Sequence, residues 1–422
     1  MNKFIKNFES LAVTENRRVV LSLIEYGLGA ISTEDVMNSF VTLSQDLFSI
    51  QGKEFNLKNF KKIKVVGFGK SSGVAALSLE KILGSRISEG VVISTTEVAT
   101  KYIKSFVGTH PKPSMQNVRA GEEIYKILEN SSEEDLVIVL ASGGGSALLC
   151  YGEEEYKNGE KLYDAFLGKG KTISEMNTVR KHLSILKGGG IAKIAYPATV
   201  VGLIFSDVPG DNFADVASGP TYKDLTTVED AEKIIKENGL GEFSLIETPK
   251  EDKYFKSVYN FVLVSNKTAV EKMKEKAKEM GFETEIISTD LYDETEESLN
   301  KIFSAKGENK IVLAAGEPKI SVSGAGKGGR NLHMGLLSMV RGLVDRESVF
   351  ISFASDGMDN SDMAGGIADH VTIDNAESKK IDMKYFLDRF DSYNFFMETE
   401  SLINTGLTGA NVSDLMILLT KK

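Results

Sequence analysis

Short runs of apolar, often β-branched residues alternate along the chain with segments whose apolar residues recur every three or four positions. This alternation is typical of βαβ units, in which helices cover a mainly parallel sheet. In the first half of the chain, buried strands are predicted at residues 63–66, 90–94, 136–141 and 199–205. The pattern therefore predicts an α/β fold.

A charged stretch over residues 224–259 lacks strand-like runs and is interrupted by Pro249. We therefore expect a boundary near residue 250, with one domain over residues 1–250 and a second over 251–422. A strand at 261–265, a helix at 267–280 and a strand at 284–288 predict a βαβ unit that opens the second domain. Further strands are predicted at residues 311–315, 319–323, 349–354 and 415–419.

Composition supports a globular protein, because 41% of the 422 residues are hydrophobic and 26% are charged. Lys and Arg number 50 against 60 Asp and Glu, a net charge of −10, which disfavours nucleic-acid and anionic-membrane partners. Cys150 is the single cysteine, and the four histidines make a metal site of histidine ligands unfavourable. Residues 1–10 lack the apolar run of a signal peptide, so we expect a cytoplasmic protein.

Glycine is enriched in this chain, and much of it lies in a few clusters. The first cluster is the turn that follows the strand at 63–66, and this turn contains Gly67, Gly69 and Lys70. Free backbone N–H groups at the start of the following helix, beside a lysine, predict an anion site. The turn is not a Walker A motif, because Lys64 occupies a position that this motif needs as glycine. It is not a complete dinucleotide fingerprint either, because Ser72 occupies the position of the third glycine. The alternative is a helix capped by serine, with Lys70 in solvent.

A second glycine cluster, residues 142–146, follows the strand at 136–141 with three consecutive glycines between two serines. Bare backbone there favours the close approach of a phosphate, with a plain turn as the alternative. Residues 176–190 are predicted to be a helix with an apolar stripe, whose polar residues include Arg180 and Lys181. A solvated face is the alternative for those polar residues.

Two acidic turns also follow predicted strands. Asp207 follows the strand at 199–205, and Asp356 follows the strand at 349–354. Each carboxylate is suited to hold Mg²⁺ or to accept a proton, although Asx turns look the same in sequence. The loop at 324–331 has four glycines, Lys327 and Arg330, which suits an anionic ligand, and its alternative is a flexible hairpin tip. Together these features favour phosphoryl transfer by a nucleotide-dependent kinase.

At this point the clusters resemble the type II glycerate kinases, which join a Rossmann-like kinase domain to a C-terminal MOFRL domain. The motifs that carry the resemblance are residues 142–148, 177–183, 206–211 and 217–221, with 324–331, 356–357 and 405–411 in the second half. The resemblance implies ATP-dependent phosphorylation of D-glycerate at O2, with Mg²⁺, in a cleft between the domains. It leaves a homodimer open as the assembly.

By motif position, the resemblance implies that Lys70 and Arg330 are catalytic. The two acidic turns add Asp207 and Asp356, of which one is expected to bind Mg²⁺ and the other to act on the substrate hydroxyl as a base. The expected nucleotide-binding residues are Gly67, Gly69, Ser142, Gly143, Gly144, Gly145, Ser146 and Lys181.

The chain departs from the family pattern after Arg330-Asn331, where Leu332-His333 replaces a usual Gln-Glu. This departure raises a kinase of a larger hydroxy acid as an alternative. Two other classes stay open. One is an NAD(P)-dependent hydroxypyruvate reductase, which would also use a glycine turn after an early strand, and the other is a catalytically silent sugar-acid binding protein.

Overall fold

A computed structural model describes residues 4–167, 173–208 and 212–421. Residues 209–211 of the predicted 206–211 motif lie outside the described residues.

The helices in the described residues are α1 (Phe8–Leu11), α2 (Glu15–Ile31), α3 (Thr33–Phe40), α4 (Ser72–Leu83), α5 (Met115–Glu129), α6 (Gly145–Leu148), α7 (Gly152–Leu167), α8 (Ile173–Lys181), α9 (Gly190–Ala195), α10 (Val228–Asn238), α11 (Asn266–Glu279), α12 (Thr295–Ser304), α13 (Arg330–Val340), α14 (His370–Ser378), α15 (Met383–Asp388) and α16 (Ser392–Glu398). The strands are β1 (Val41–Ser44), β2 (Leu47–Ile50), β3 (Lys53–Asn56), β4 (Lys62–Phe68), β5 (Glu89–Ser94), β6 (Lys104–Val107), β7 (Asp135–Ser142), β8 (Thr199–Phe205), β9 (Val258–Val264), β10 (Glu283–Leu291), β11 (Lys310–Gly316), β12 (Ser348–Ala354), β13 (Gly365–Asp369), β14 (Leu402–Ile403) and β15 (Asp414–Thr420).

The chain divides into two units by its own contacts. The first unit is residues 33–263, and the second unit joins residues 4–32 to residues 264–421. This differs from the predicted division, which placed the N-terminal residues in the first domain and the boundary near 250. The reason lies in α2, whose Gly27 is packed so closely on α11 that an added Cβ would lie 2.1 Å from the Met273 Cε atom. The apolar face of α2 is therefore part of the second unit's core.

The first unit contains a six-stranded sheet in the order β6-β5-β4-β7-β8-β9, which is the chain order 3-2-1-4-5-6 of a doubly wound sheet. Strands β4 to β8 pair in parallel. Their interior residues are almost all buried and apolar, as expected for a sheet covered on both faces. The strand order reverses between β4 and β7, where doubly wound proteins bind ligands at the carboxyl ends of the strands. A separate antiparallel sheet, β1-β2-β3, completes the unit.

The second unit contains a six-stranded mixed sheet in the order β10-β11-β15-β12-β13-β14. Strands β10 and β11 are parallel, and the other neighbours in this sheet are antiparallel. Central strands β12 and β15 are buried at every position. The predicted α/β class with two α/β domains is thus confirmed.

Two local predictions in this region were wrong. Strand β9 belongs to the first sheet and β10 to the second, so the predicted strand-helix-strand segment at 261–288 is not a βαβ unit of one sheet. Residues 319–323 do not form a strand, because Lys319 makes only an isolated bridge with Glu294. Both errors arise because strand pairing depends on tertiary neighbours, which local pattern does not contain.

Candidate active site

The two predicted glycine turns of the first unit lie side by side and are hydrogen-bonded to each other. The Lys70 backbone N–H donates to the Gly143 carbonyl oxygen over 2.8 Å. The Ser71 backbone N–H donates to the Ser142 Oγ atom over 3.0 Å. Because these turns end the adjacent strands β4 and β7, they sit where the strand order reverses.

Gly69 is required by this contact between the turns. Its φ is +122°, and a Cβ atom there would lie 2.2 Å from the Ser142 Oγ atom and 2.4 Å from the Ser142 carbonyl oxygen. Any side chain at Gly69 would push the turns apart. Gly67, in contrast, lies inside β4 between Val92 and Leu140, so its bare backbone serves the packing of the sheet.

Gly144 brings two polar side chains over the second turn. Its φ is +77°, and the short helix α6 follows directly. A Cβ atom at Gly144 would lie 3.1 Å from His110 Cδ2 and 3.3 Å from Lys70 Cγ. The missing side chain therefore leaves room for Lys70 and His110 to approach the glycine backbone. Sequence reasoning did not select His110 as a site residue.

Ser146 is joined to a buried chain of polar side chains. Its Oγ atom lies 2.9 Å from the Ser218 Oγ atom, which in turn donates to Asn177 Oδ1 over 3.2 Å. Ser218 and the preceding Ala217 have φ values of 60° and 52°. Two consecutive non-glycine residues in the left-handed region store backbone strain, which proteins often keep at functional sites. The sequence carried no local signal for this strain.

Lys181 lies one helical turn after Asn177 on α8. Its Nζ atom is 3.1 Å from Asp215 Oδ1 and 3.4 Å from Asp224 Oδ1. Burial pushes the pKa of Asp224 upward, but Lys181 and Thr226 outweigh it and hold that pKa below its ordinary value. Lys181 therefore neutralises two carboxylates of the unit, and nucleotide binding by Lys181 stays a prediction.

The helix predicted over 176–190 ends earlier than expected. Helix α8 stops at Lys181, and Gly188 and Gly189 adopt φ values of 54° and 90°. Their backbone N–H groups donate to the carbonyl oxygens of Ser218 and Gly219 over 2.9 and 2.8 Å. The glycines therefore hold the strained 217–219 segment instead of capping one long helix. His182 is buried, with ring nitrogens near Ile246 O and Thr226 Oγ1, as expected for a structural histidine.

Asp207 is the second residue after β8 and is half-buried. The preceding Ser206 accepts a hydrogen bond from the Val208 N–H over 3.2 Å, which folds the backbone around Asp207 into a turn. Asp207 therefore lies just beyond the carboxyl end of β8, and its role as base or Mg²⁺ ligand stays a prediction.

In the second unit, Arg330 is the first residue of α13 and is held by two carboxylates. Its Nη2 atom donates to Glu317 Oε2 over 3.2 Å, and its Nε atom lies 2.8 Å from Asp414 Oδ2. Burial lowers the pKa of Arg330, but Asp414 and Glu317 outweigh it and raise that pKa above its ordinary value. Burial also raises the pKa of Asp414 to about 8, against the attraction of Arg330. The guanidinium thus stays charged and has a fixed orientation.

The loop at 324–331 is packed, and so is not a free hairpin tip. The Lys327 Nζ atom lies 3.4 Å from the centroid of the Tyr393 ring, and the Lys327 N–H donates to Asp391 Oδ1 over 2.9 Å.

Asp356, just after β12, accepts a hydrogen bond from the Met358 N–H over 3.0 Å, which is an Asx turn. A role for Asp356 as base or Mg²⁺ ligand stays a prediction.

Comparisons with known proteins find glycerate kinase relatives that match nearly the whole chain. Residues 19–246 match the model of a domain family of unknown function, DUF4147, and residues 310–414 match the MOFRL family. A glycerate 2-kinase of Pyrococcus horikoshii is 34% identical over 96% of this chain and 97% of its own length. The chain belongs to the MOFRL glycerate kinase family.

A crystal structure of glycerate kinase from Thermotoga maritima superposes with a TM-score of 0.82 at 30% identity, covering 96% of this chain and 99% of that one. A relative from Agrobacterium vitis, 32% identical over 84% of this chain and 86% of its own length, carries a provisional name as a hydroxypyruvate reductase. As a family member, the chain is a phosphotransferase with an alcohol acceptor. None of the described helices is long and apolar enough to cross a membrane.

The two residues that depart from the glycerate kinase pattern, Leu332 and His333, pack inside the second unit. The Leu332 side chain is fully buried in the hydrophobic core. The His333 ring stacks on Phe390 with centroids 5.1 Å apart, and burial lowers the pKa of His333. Asp359 caps this helix, since its oxygens accept from the N–H groups of Asn331 and Leu332 over 3.1 and 2.8 Å. Leu332 and His333 therefore serve packing.

Proposed function

We propose that the chain is an ATP-dependent glycerate 2-kinase, which transfers the γ-phosphoryl group of ATP to O2 of D-glycerate and gives 2-phosphoglycerate and ADP. Membership of the glycerate kinase family supports the substrate class. The observation that carries the proposal is the pair of hydrogen-bonded glycine turns beside Lys70, at the point where the first sheet reverses its order. The Lys70 and Ser71 N–H groups already donate within the protein, so the backbone of the second turn, next to the Lys70 side chain, is the part suited to a polyphosphate.

Lys70 and Arg330 supply positive charge. The Lys70 ammonium, whose stem lies against Gly144, neutralises charge that accumulates on the oxygens of the transferring phosphoryl group. Among the described residues, Asp414 and Glu317 contact the Nε and Nη2 atoms of Arg330. Its Nη1 edge is therefore suited to donate to a phosphate oxygen, in an orientation that Glu317 and Asp414 fix.

A magnesium ion fits this chain as a partner of the nucleotide. The described residues contain no group of three or more His, Cys, Asp or Glu side chains that could hold a metal by themselves. Mg²⁺ in phosphotransferases commonly takes one or two carboxylates and otherwise phosphates and waters. Asp207 and Asp356 each provide one carboxylate at a strand end, and the bound ion would neutralise phosphate charge. The carboxylate that does not bind the ion would accept the proton of the substrate hydroxyl.

The alternatives have less support. A reductase needs a dinucleotide site, but Ser72 replaces the third glycine of that fingerprint and is buried, with its Oγ donating to Gly69 O and Ile93 O. The idea of a larger hydroxy acid depended on Leu332 and His333, and both pack within the second unit. A silent binding protein has the least support, because glycine turns beside a cation occur in both halves of the chain.

The test measures ADP formation with ATP, Mg²⁺ and a panel of hydroxy acids from D-glycerate to four-carbon sugar acids. We expect D-glycerate to have the highest kcat/KM, and hydroxypyruvate to cause no oxidation of NADH or NADPH. Oxidation of reduced nicotinamide by hydroxypyruvate, without ADP formation from glycerate, would replace the kinase with the reductase. Binding of glycerate without either reaction would favour the silent protein.

A further inference from the structure

A small pocket of the first unit lies next to the second glycine turn. It is bordered by Pro111, Ser146, Glu155, Arg180, Leu183 and Lys187. Its volume of about 30 Å³ exceeds the roughly 10–15 Å³ that one water molecule needs, so it admits a small polar group but is far too small for a nucleotide.

Arg180 is the unusual residue of this pocket. Its side chain is part-buried, and no carboxylate of the described residues lies within ion-pair distance of its guanidinium, nor does any hydrogen bond there use its donors. Burial lowers the pKa of Arg180 to about 10, against an opposing contribution from Tyr163. A partly desolvated guanidinium that lacks an anionic partner is suited to bind an anionic ligand.

Among the described residues that line the pocket, the charges leave one positive charge unbalanced. Lys187 forms a buried ion pair with Glu155, and the side chains are 5% and 7% exposed. Glu155 also accepts a hydrogen bond from the Tyr151 N–H over 3.0 Å, which holds it in place. The lysine and the glutamate cancel, so the pocket as a whole has the charge of Arg180. A monoanion is the matching ligand.

The pocket is also close to the atoms assigned to phosphoryl transfer. Ser146 follows Gly144 by two residues, and Pro111 follows His110, which approaches Gly144 beside Lys70. A three-carbon acid whose carboxylate lies in the pocket can therefore direct its hydroxyl groups toward the glycine turn and Lys70. The Ser146 hydroxyl donates its single proton to Ser218 in this structure, so it would have to turn that proton away from Ser218 to donate to the same carboxylate.

We infer that this pocket binds the carboxylate of the hydroxy-acid substrate, with Arg180 as its bidentate ligand. The inference rests on the proposed function and adds the residue that selects an acid over a neutral polyol. An arginine fork matches a carboxylate in two parallel hydrogen bonds, whereas lysine offers a single point charge.

The experiment compares wild type with Arg180→Met, which keeps the apolar stem, and with Arg180→Lys. We expect Arg180→Met to raise the KM for D-glycerate at least about 100-fold, the size expected for loss of a charged bidentate contact, while the KM for ATP changes by less than about threefold. The KM of Arg180→Lys for D-glycerate should lie between those of wild type and Arg180→Met. The matched control is Arg119→Gln, which removes an exposed arginine from α5 of the same unit.

A second readout is discrimination between D-glycerate and its neutral amide. Wild type should prefer the acid by about 100-fold or more, and Arg180→Met should reduce the preference to within about fivefold. The melting temperature of Arg180→Met should match or exceed that of wild type, because no ion pair is broken. A lower melting temperature with unchanged discrimination would make Arg180 structural and overturn the inference.

Calorimetric titration of D-glycerate into each protein without nucleotide separates this inference from the proposed function. If wild type binds D-glycerate and Arg180→Met does not, the pocket is a carboxylate site even if no phosphorylation occurs. If wild type phosphorylates D-glycerate and Arg180→Met has the same KM for it, the kinase stands and the pocket assignment is wrong.

Discussion

Replacing Gly144 with alanine tests whether the second glycine turn is at the chemical step. Gly144 has φ of +77°, so a side chain there carries the strain of the left-handed region, about 1–2 kcal/mol. The new Cβ would also lie 3.1 Å from His110 Cδ2 and 3.3 Å from Lys70 Cγ. Ordinary carbon contacts are about 3.5–4.0 Å, so both side chains must move by a few tenths of an ångström.

The strain and the contacts predict separate effects. The strain alone should lower the melting temperature by about 2–8 °C for a unit of this size. Since a displacement of about 1 Å in an active site can reduce the rate about 100-fold, a few tenths of an ångström at Lys70 should reduce kcat/KM about tenfold.

Gly239→Ala is the matched control. Gly239 has φ of +57° at the end of α10, and an added Cβ there meets nothing within 4 Å. It should lose a similar amount of stability but keep the wild-type kcat/KM. The assay is ADP formation from ATP and D-glycerate, with melting measured by circular dichroism. If Gly144→Ala keeps the wild-type rate while both variants lose equal stability, the turn is structural and the reasoning fails.

Lys70→Ala should slow turnover by about 10- to 1,000-fold, because one charge pair at about 4 Å is worth roughly 4 kcal/mol before screening; a folded variant within about twofold of wild type would disprove its role. Arg330→Lys should lower kcat while melting stays near wild type, and an unchanged kcat would show that the fork is not needed. Because the folded pKa of Asp414 is raised to about 8 from an unfolded value near 4, stability should fall as pH rises through that window; Asp414→Asn should flatten this part of the melting profile, and an unaltered slope would contradict it. Arg17→Met should destabilise by about 3–5 kcal/mol in urea unfolding, because it leaves Asp369 buried without its 2.7 Å partner; a loss under 1 kcal/mol would contradict this.

The elements at the centre of each sheet were predictable because their sequences are long apolar runs with glycine or acidic turns behind them. Strand β8 matches its predicted bounds, and the turns at Gly69 and Gly144 follow the predicted strands. The turns could be predicted because a backbone position that is left-handed or crowded requires glycine, and glycine is visible in the sequence.

The rest depends on neighbours that are distant in the chain. The pairing of α2 with α11, the early end of α8 and the sheet membership of β9 follow from contacts that no local pattern encodes. Arg180 was assigned to a polar face like its neighbour Lys181. The structure separates them, since Lys181 has two carboxylate partners and Arg180 has none among the described residues.

The position of the phosphoryl group on the product tests the central proposal most directly. Phosphorus NMR of the product from ATP and D-glycerate distinguishes the two hydroxyls, because phosphorus on O2 couples to one proton and phosphorus on O3 couples to two. We predict a doublet, identical to that of authentic 2-phosphoglycerate and consumed on addition of enolase. A triplet that enolase leaves unchanged, or no new phosphorus signal with any hydroxy acid, would contradict the proposed glycerate 2-kinase.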